Sequence, residues 1–408
     1  MTADDAAPTR IDLVVNPRAR RDAPWTPAQD AILNDAGLAA ARAAIGAWPG
    51  YAVSPLVSLP GLAAAMGVAE IRVKDESARF GLSSFKALGG AYAVARLLAG
   101  RAAAAGRDLD MAAIAGGAAR DLAAGLTVCC ATDGNHGRSV AWGAERFGCR
   151  AVIFLHATVS EARERAIARF GAEIRRVAGT YDDSVREAEA TAAREGWTVV
   201  SDTSYPGYTE IPKDVMQGYE VMAAEAFEAL DRPPTHLFLQ TGVGGMAAAV
   251  AGLAKRRFGA ARPVVVLADP ARAACWVESF RASRPVAAEG DLDTVMAGLA
   301  CGEVSLLAWE ILADHADAAI ALPDDTVAGL MRRLARPADG DPPVVAGESA
   351  VAGLAALEAA MADDNARARL GLDAEARVLV FSTEGDTDPA LYERLVGLPA
   401  QRVRAGAS

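Results

Sequence analysis

The chain has 408 residues, too many for one ordinary domain and enough for two, and its 52% apolar, 23% charged and 6% aromatic make-up is that of a globular protein with a large core. A net charge of −11 with no long basic stripe argues against a nucleic-acid partner. Five cysteines without CxxC spacing and four scattered histidines suggest no metal site. The acidic start "MTADDAAPTRIDLVV" lacks a charged-then-apolar signal pattern and no apolar run reaches transmembrane length, so a cytoplasmic, reducing location without a membrane partner is expected. Cys275 and Cys301 could meet across a loop; sequence alone leaves that open.

In chain order, the stretch up to about residue 50 has poor strand patterning and reads as an arm packed on the body or on a second subunit. Strands are predicted at "EIRVKD" (70–75), "LTVCCAT" (126–132), "RAVIFLH" (150–156), "WTVVSD" (197–202), "HLFLQT" (236–241), "PVVVLAD" (263–269) and "RVLVFST" (377–383). Most carry apolar residues at successive positions, as strands buried on both faces of a parallel sheet do. Helical stretches lie between them, including "GRSVAWGAERFG", "EARERAIARFG", "DDSVREAEATAAREG" and "GMAAAVAGLAKRRFG", each closed by glycine. Residues 99–125 read as an insertion or a weak helix pair, and "RPADGDPPVVAG" (336–347) as a turn-rich loop. The alternation predicts an α/β fold.

In such sheets ligands bind beyond the carboxyl ends of the strands. Four polar, glycine-rich turns fall there: "ATDGNHG" (131–137), "SDTSYPGYTE" (201–210), "TGVGGM" (241–246) and "STEGDTD" (382–388), while "GESAVAG" (347–353) opens another helix. Glycines in "TGVGGM" would let consecutive N–H groups and a helix N-terminus cradle a phosphate, or would simply form a tight turn. The same residues fit a dinucleotide pattern, with Asp269 as a ribose-binding acid, so a nicotinamide oxidoreductase is a rival reading. Asp133 and Asn135 suit either a ligand contact or an Asx turn, and His136 a structural contact. Ser382 and Thr383 read as ligand contacts or caps, Glu348 as a ligand contact or a helix-start acid, and Asp202 as a ligand contact or a turn residue. Asp182 and Asp183 read as helix-start residues, and Met222, Phe227 and Leu230 as core.

Taken together, "SSFKALGG", "DGNHG", "TGVGGM" and "GES" resemble the fold type II pyridoxal-phosphate enzymes. "RFGLSSFKALGG", "ATDGNHGRSVAWGAERFG", "GYTEIPKDVMQGY", "TVMAGLACGE" and "VLVFSTEGDTD" narrow the resemblance to the diaminopropionate ammonia-lyase family, in order from about residue 50 to 390. The resemblance implies two domains, each with a twisted, mostly parallel sheet flanked by helices, and the cofactor in the cleft between them. A large domain would comprise 1–88 and 212–408, and a small substrate-side domain 89–211. It implies pyridoxal 5′-phosphate as cofactor, a small amino acid as substrate and a homodimer. The implied reaction is α,β-elimination of D- or L-2,3-diaminopropionate through an aminoacrylate to pyruvate and ammonia; a serine, threonine or hydroxyaspartate dehydratase is the nearest alternative.

On this resemblance Lys86 is the Schiff-base lysine. A desolvated pocket beside Phe85 is expected to lower its pKa and favour the neutral amine. Gly242, Val243, Gly244, Gly245 and Met246 would hold the phosphate, Asn135 the ring hydroxyl, and Ser382 or Thr383 the ring nitrogen, with Glu348 near the ring or the substrate. Lys86 would serve as base for the L-isomer, Asp133 for the D-isomer, and Asp202 would keep the leaving β-amino group cationic. Ser84, Thr132, His136 and Tyr208 are the expected substrate contacts. Departures in "SDTSYPGY", in the "SS" before Phe85, in "LADP" (267–270) and in the long 99–125 region leave the cofactor site intact and bear on the exact substrate.

Overall fold

The computed structural model describes residues 11–337 and 340–406; residues 1–10 of the expected arm and 338–339 of the turn-rich loop lie outside the described residues. Among the described residues eleven strands form two sheets. They are β1 (Asp12–Val15), β2 (Leu56–Ser58), β3 (Glu70–Asp75), β4 (Thr127–Ala131), β5 (Arg150–His156), β6 (Glu173–Val177), β7 (Thr198–Val199), β8 (His236–Gln240), β9 (Val264–Pro270), β10 (Ala318–Leu322) and β11 (Arg377–Ser382). One sheet runs β1-β10-β9-β8-β11-β3-β2 and the other β6-β5-β4-β7. All pairings are parallel except β1 on β10 and β2 on β3, which are the two edges of the larger sheet. The fold is therefore α/β, with mostly parallel sheets flanked by helices.

Continuous apolar runs became central strands, as expected of chain buried on both faces. All five residues of β8 are buried, as are Ala151 to Leu155 of β5. The stretch at 197–202 keeps only two strand residues before it turns. The four strands beyond those predicted have weak apolar signatures: β1 and β2 are short, β6 is a charged edge strand, and β10 is rich in alanine. The expected arm is thus not without a strand. It contributes β1 and two helices, Pro27–Ile32 and Asp35–Gly46, which bury Ile32, Leu33, Ala41, Ala44 and Ile45 in the core. The 99–125 stretch completes the helix Ala87–Ala104 and then forms two short helices, Met111–Ala115 and Arg120–Ala123. Among the described residues no helix is long and apolar enough to cross a membrane.

The helix Ala87–Ala104 packs against Asn135–Phe147 and Glu210–Ala229. Small residues set how closely they approach. A Cβ on Gly89 would meet Tyr219 and Val215, one on Gly90 would meet Ser139, and one on Gly143 would meet Ala91. That close packing seats the N-terminal end of Ala87–Ala104, and with it Lys86, among the carboxyl ends of strands from both sheets.

Candidate active site

Lys86 is the N-cap residue of the helix Ala87–Ala104. The loop before it contains Phe80 and Ser83 at φ 51, a left-handed conformation that costs about 1–3 kcal/mol for residues with side chains. Backbone bonds to the loop after β11 hold it. Phe85 N donates to Thr383 O (3.0 Å), Gly385 N donates to Ser83 O (3.0 Å), and Ser84 forms an antiparallel bridge with Glu384. The lysine and the "STEG" turn are thus one hydrogen-bonded unit.

A single cavity is lined by Ser84, Phe85, Lys86, Thr132, Asp133, Asn135, His136, Asp202, Gly242 to Met246 and Thr383, so most of the expected residues meet. Three do not line it. Tyr208, expected at the substrate, directs its phenol to the backbone, donating to Val199 O (2.8 Å) and accepting from Ser201 N (3.0 Å). Ser382 lies buried beneath the turn, its Oγ without a partner. Glu348 is buried behind the cavity and takes a 2.6 Å ion pair from Arg163, which itself lines the cavity. Burial, then Glu384 nearby, pushes the Glu348 carboxyl up to about 8.

Lys86 Nζ lies 2.5 Å from Asp202 Oδ2, with the rings of Phe85 and Tyr219 at 5.3 and 5.7 Å. The expected lowering of the lysine pKa is reversed. Burial does act against the charged amine, but Asp202 outweighs it and raises the pKa above its ordinary value. Burial likewise opposes the Asp202 charge, yet its ion-pair partner Lys86 holds that carboxyl below the usual range. His136 donates through Nε2 to Val200 O (2.7 Å), leaving Nδ1 buried and 3.7 Å from Asp202. Burial is the main reason the imidazole pKa falls, so the ring is neutral beside the ion pair.

Asp133 accepts from His156 Nε2 at 2.7 Å. Asn135 donates to Glu384 and accepts from Arg138 Nη2 at 3.0 Å, which fixes its amide orientation. Sequence reasoning missed Arg163, Tyr181, Tyr219, Gln240 and Glu384. Glu384 and Tyr219 stood inside quoted motifs and Arg163 and Gln240 inside a predicted helix and strand; apart from Glu384 all lie within helices and strands where no turn chemistry marks them.

Asp269 answers the dinucleotide reading. It is fully buried and accepts from the Thr241 hydroxyl and from Trp276 N (2.8 Å) and Val277 N (3.1 Å), so it caps the helix Cys275–Ala282 and has no face left for a ribose. All five cysteines, including Cys275 and Cys301, are free thiols.

The pyridoxal-phosphate dependent enzyme family model matches residues 47–384, and the chain belongs to that family. Within it the chain stands with the diaminopropionate ammonia-lyases. It is 40% identical to the Salmonella typhimurium diaminopropionate ammonia-lyase over 358 residues, covering 85% of this chain and 89% of the relative. It is 41% identical to the Escherichia coli one over 354 residues, covering 85% and 88%. The crystal structure of the Escherichia coli enzyme in complex with an aminoacrylate-PLP azomethine reaction intermediate superposes with a TM-score of 0.85 at 37% identity, covering 95% of this chain and 97% of that one.

The cavity fits the cofactor. Gly242 to Gly245 lead into the 14-residue helix Gly245–Phe258, whose first N–H groups have no partner within the helix. Cβ atoms on Gly242 or Gly244 would fill that cradle's backing, meeting Cys301 and Trp276. At the other end Gln240 Nε2 donates to Thr383 Oγ1 (2.8 Å), leaving the hydroxyl proton free for a ring nitrogen. Gln240 Oε1 is itself buried without a partner.

Proposed function

We propose that the chain eliminates ammonia from 2,3-diaminopropionate, giving with one water pyruvate and two ammonia molecules. Lys86, Asp133 and Asp202 lining one cavity carry this reading. Lys86 would hold pyridoxal 5′-phosphate through its amine, Gly242 to Met246 the phosphate, Asn135 the ring hydroxyl, and Thr383 rather than Ser382 the ring nitrogen. When bound, the cofactor supplies an electron sink for the pair left on the substrate's α carbon.

The chain's own groups do the rest. Asp133 and Lys86 take the α-proton from opposite faces, Asp133 from the D-isomer and Lys86 from the L-isomer. Asp202, an anion held low by its neighbours, keeps the β-nitrogen protonated so that it departs as ammonia. His136 and Thr132 border the substrate on the "TDGNH" side, Ser84 on the lysine side, and Phe85 and Tyr219 shield the amine from water. Glu348 acts through Arg163.

The strands between residues 12 and 75 and between 236 and 382 build one sheet, and those between 127 and 199 the other. That supports a large domain of 1–88 and 212–408 and a small one of 89–211. The free thiols suit a cytoplasmic location, and the family resemblance supports a homodimer.

The test is pyruvate release from D- and L-diaminopropionate compared with serine, threonine and hydroxyaspartate. Diaminopropionate should show the highest kcat/KM. A hydroxy amino acid turned over faster makes the chain a dehydratase and removes the proposal.

A further inference from the structure

The proposed mechanism leaves one contact unused: the histidine behind Asp133. Strands β4 and β5 run parallel with Ala131 opposite Phe154. Two residues further along each chain, Asp133 just past the end of β4 and His156 at the end of β5 bring their side chains together. His156 Nε2 donates to Asp133 Oδ1 at 2.7 Å, and the exposed Thr158 hydroxyl lies 3.0 Å from His156 Nδ1. A carboxylate oxygen only accepts, so Nε2 carries the hydrogen, and in the neutral ring Nδ1 is left to accept the Thr158 hydroxyl proton. Tyr181, which lines the cavity, packs edge-on against the imidazole at 6.3 Å. The Asp133 backbone is held too, its carbonyl accepting from Arg163 Nη1 at 3.4 Å.

We infer that His156, its Nε2 hydrogen directed at the carboxylate and its Nδ1 backed by Thr158, is a positioning residue for Asp133: it holds one carboxylate oxygen so that the other, Oδ2, is presented to the α-proton of a D-substrate. This rests on Asp133 being the D-side base. His156 touches neither Lys86 nor Asp202, so the L-side reaction does not depend on it. Without the imidazole, Asp133 is free to rotate at both side-chain torsions, and a displacement of about 1 Å in a reacting group costs on the order of 10²-fold in rate.

The experiment compares His156→Ala, His156→Gln, Thr158→Val and Asp133→Asn in the full-length enzyme. His156→Ala should lower kcat for D-diaminopropionate by about 10- to 100-fold with KM little changed, and leave L-isomer turnover within about 2-fold. Glutamine, whose side-chain N–H can stand where Nε2 does, should restore most of the D-isomer rate. Independently of turnover, ¹⁵N-histidine NMR of the cofactor-free protein should show His156 as the Nε2–H tautomer. That signal should shift in Asp133→Asn and change tautomer population in Thr158→Val, which reports even if His156→Ala fails to fold. Equal losses on both isomers, no rescue by glutamine, or an His156 signal indifferent to Asp133 overturns the inference. If Asp133→Asn itself spares D-isomer turnover, the base assignment has failed and the inference falls with it. If Asp133→Asn abolishes D-turnover while His156→Ala leaves it at the wild-type rate, the inference fails alone.

Discussion

Replacing Gly244 by alanine should damage cofactor binding more than any comparable glycine substitution. Gly244 sits at φ 96, and an added Cβ would overlap the Trp276 ring. Trp276 has nowhere to go. It is fully buried, donates through Nε1 to Gly242 O at 3.0 Å, stacks on Trp309 at 6.0 Å and meets Phe280 edge-on at 5.9 Å. A left-handed alanine costs about 1–2 kcal/mol, and overpacking a rigid site a further ~1–3 kcal/mol. If the empty loop relaxes to relieve this strain, the whole of it, about 2–5 kcal/mol, falls on binding and weakens the cofactor's Kd by roughly 30- to 5000-fold. The measurement is a titration of cofactor-free protein with pyridoxal 5′-phosphate, followed by visible absorption and tryptophan quenching, alongside urea melts. Gly371 is the control: it sits at φ 68 with open space around its Cβ position. Its alanine variant should lose about 1–2 kcal/mol of stability and bind cofactor normally. A Gly244→Ala protein with both affinity and stability of the wild type would refute the reasoning.

Lys86→Ala should fold, melt cooperatively and lack both turnover and the visible band of a lysine-bound cofactor; an unchanged spectrum removes Lys86 from its role. Glu220 is buried beside Arg256, with Oε2 unpartnered. Burial lifts its pKa from 4.5 to about 8 in the fold. The folded form therefore binds more protons than the unfolded one between those values. The associated stability is present below pH 4.5 and lost as pH rises through about 8. Glu220→Gln should flatten that decline in urea midpoints measured at pH 5 and pH 8, and parallel profiles for the two proteins would contradict the assignment.

What the sequence made legible was whatever has a local signature. Val-rich strands such as β9 and β11 declare their burial by composition, and the turns at 133–136 and 242–246 declare themselves by glycine and short polar residues. The strands at 173–177 and 318–322 do not, because one is a charged edge and the other is mostly alanine. The reversed lysine pKa was illegible for a different reason. Lys86 and Asp202 stand 116 positions apart, and only the meeting of the two sheets' strand ends puts a carboxylate 2.5 Å from the amine. Phe85 alone suggested desolvation, and desolvation is present, but the ion pair outweighs it. Tyr208 misled because an aromatic in a polar turn looks like a ligand contact, whereas here its hydroxyl ties down the turn's own backbone.

The strand at Arg377–Ser382 lies between β8 and β3, in the middle of the larger sheet. During synthesis its two neighbours emerge long before it does, and each must wait with an open edge of N–H and C=O groups. Such edges are templates for pairing with other chains. The lysine loop waits as well, since the turn that grips it follows this strand directly. A nascent chain halted before residue 377 would hold every catalytic carboxylate and the amine, yet present them on a split scaffold, prone to clump rather than to act.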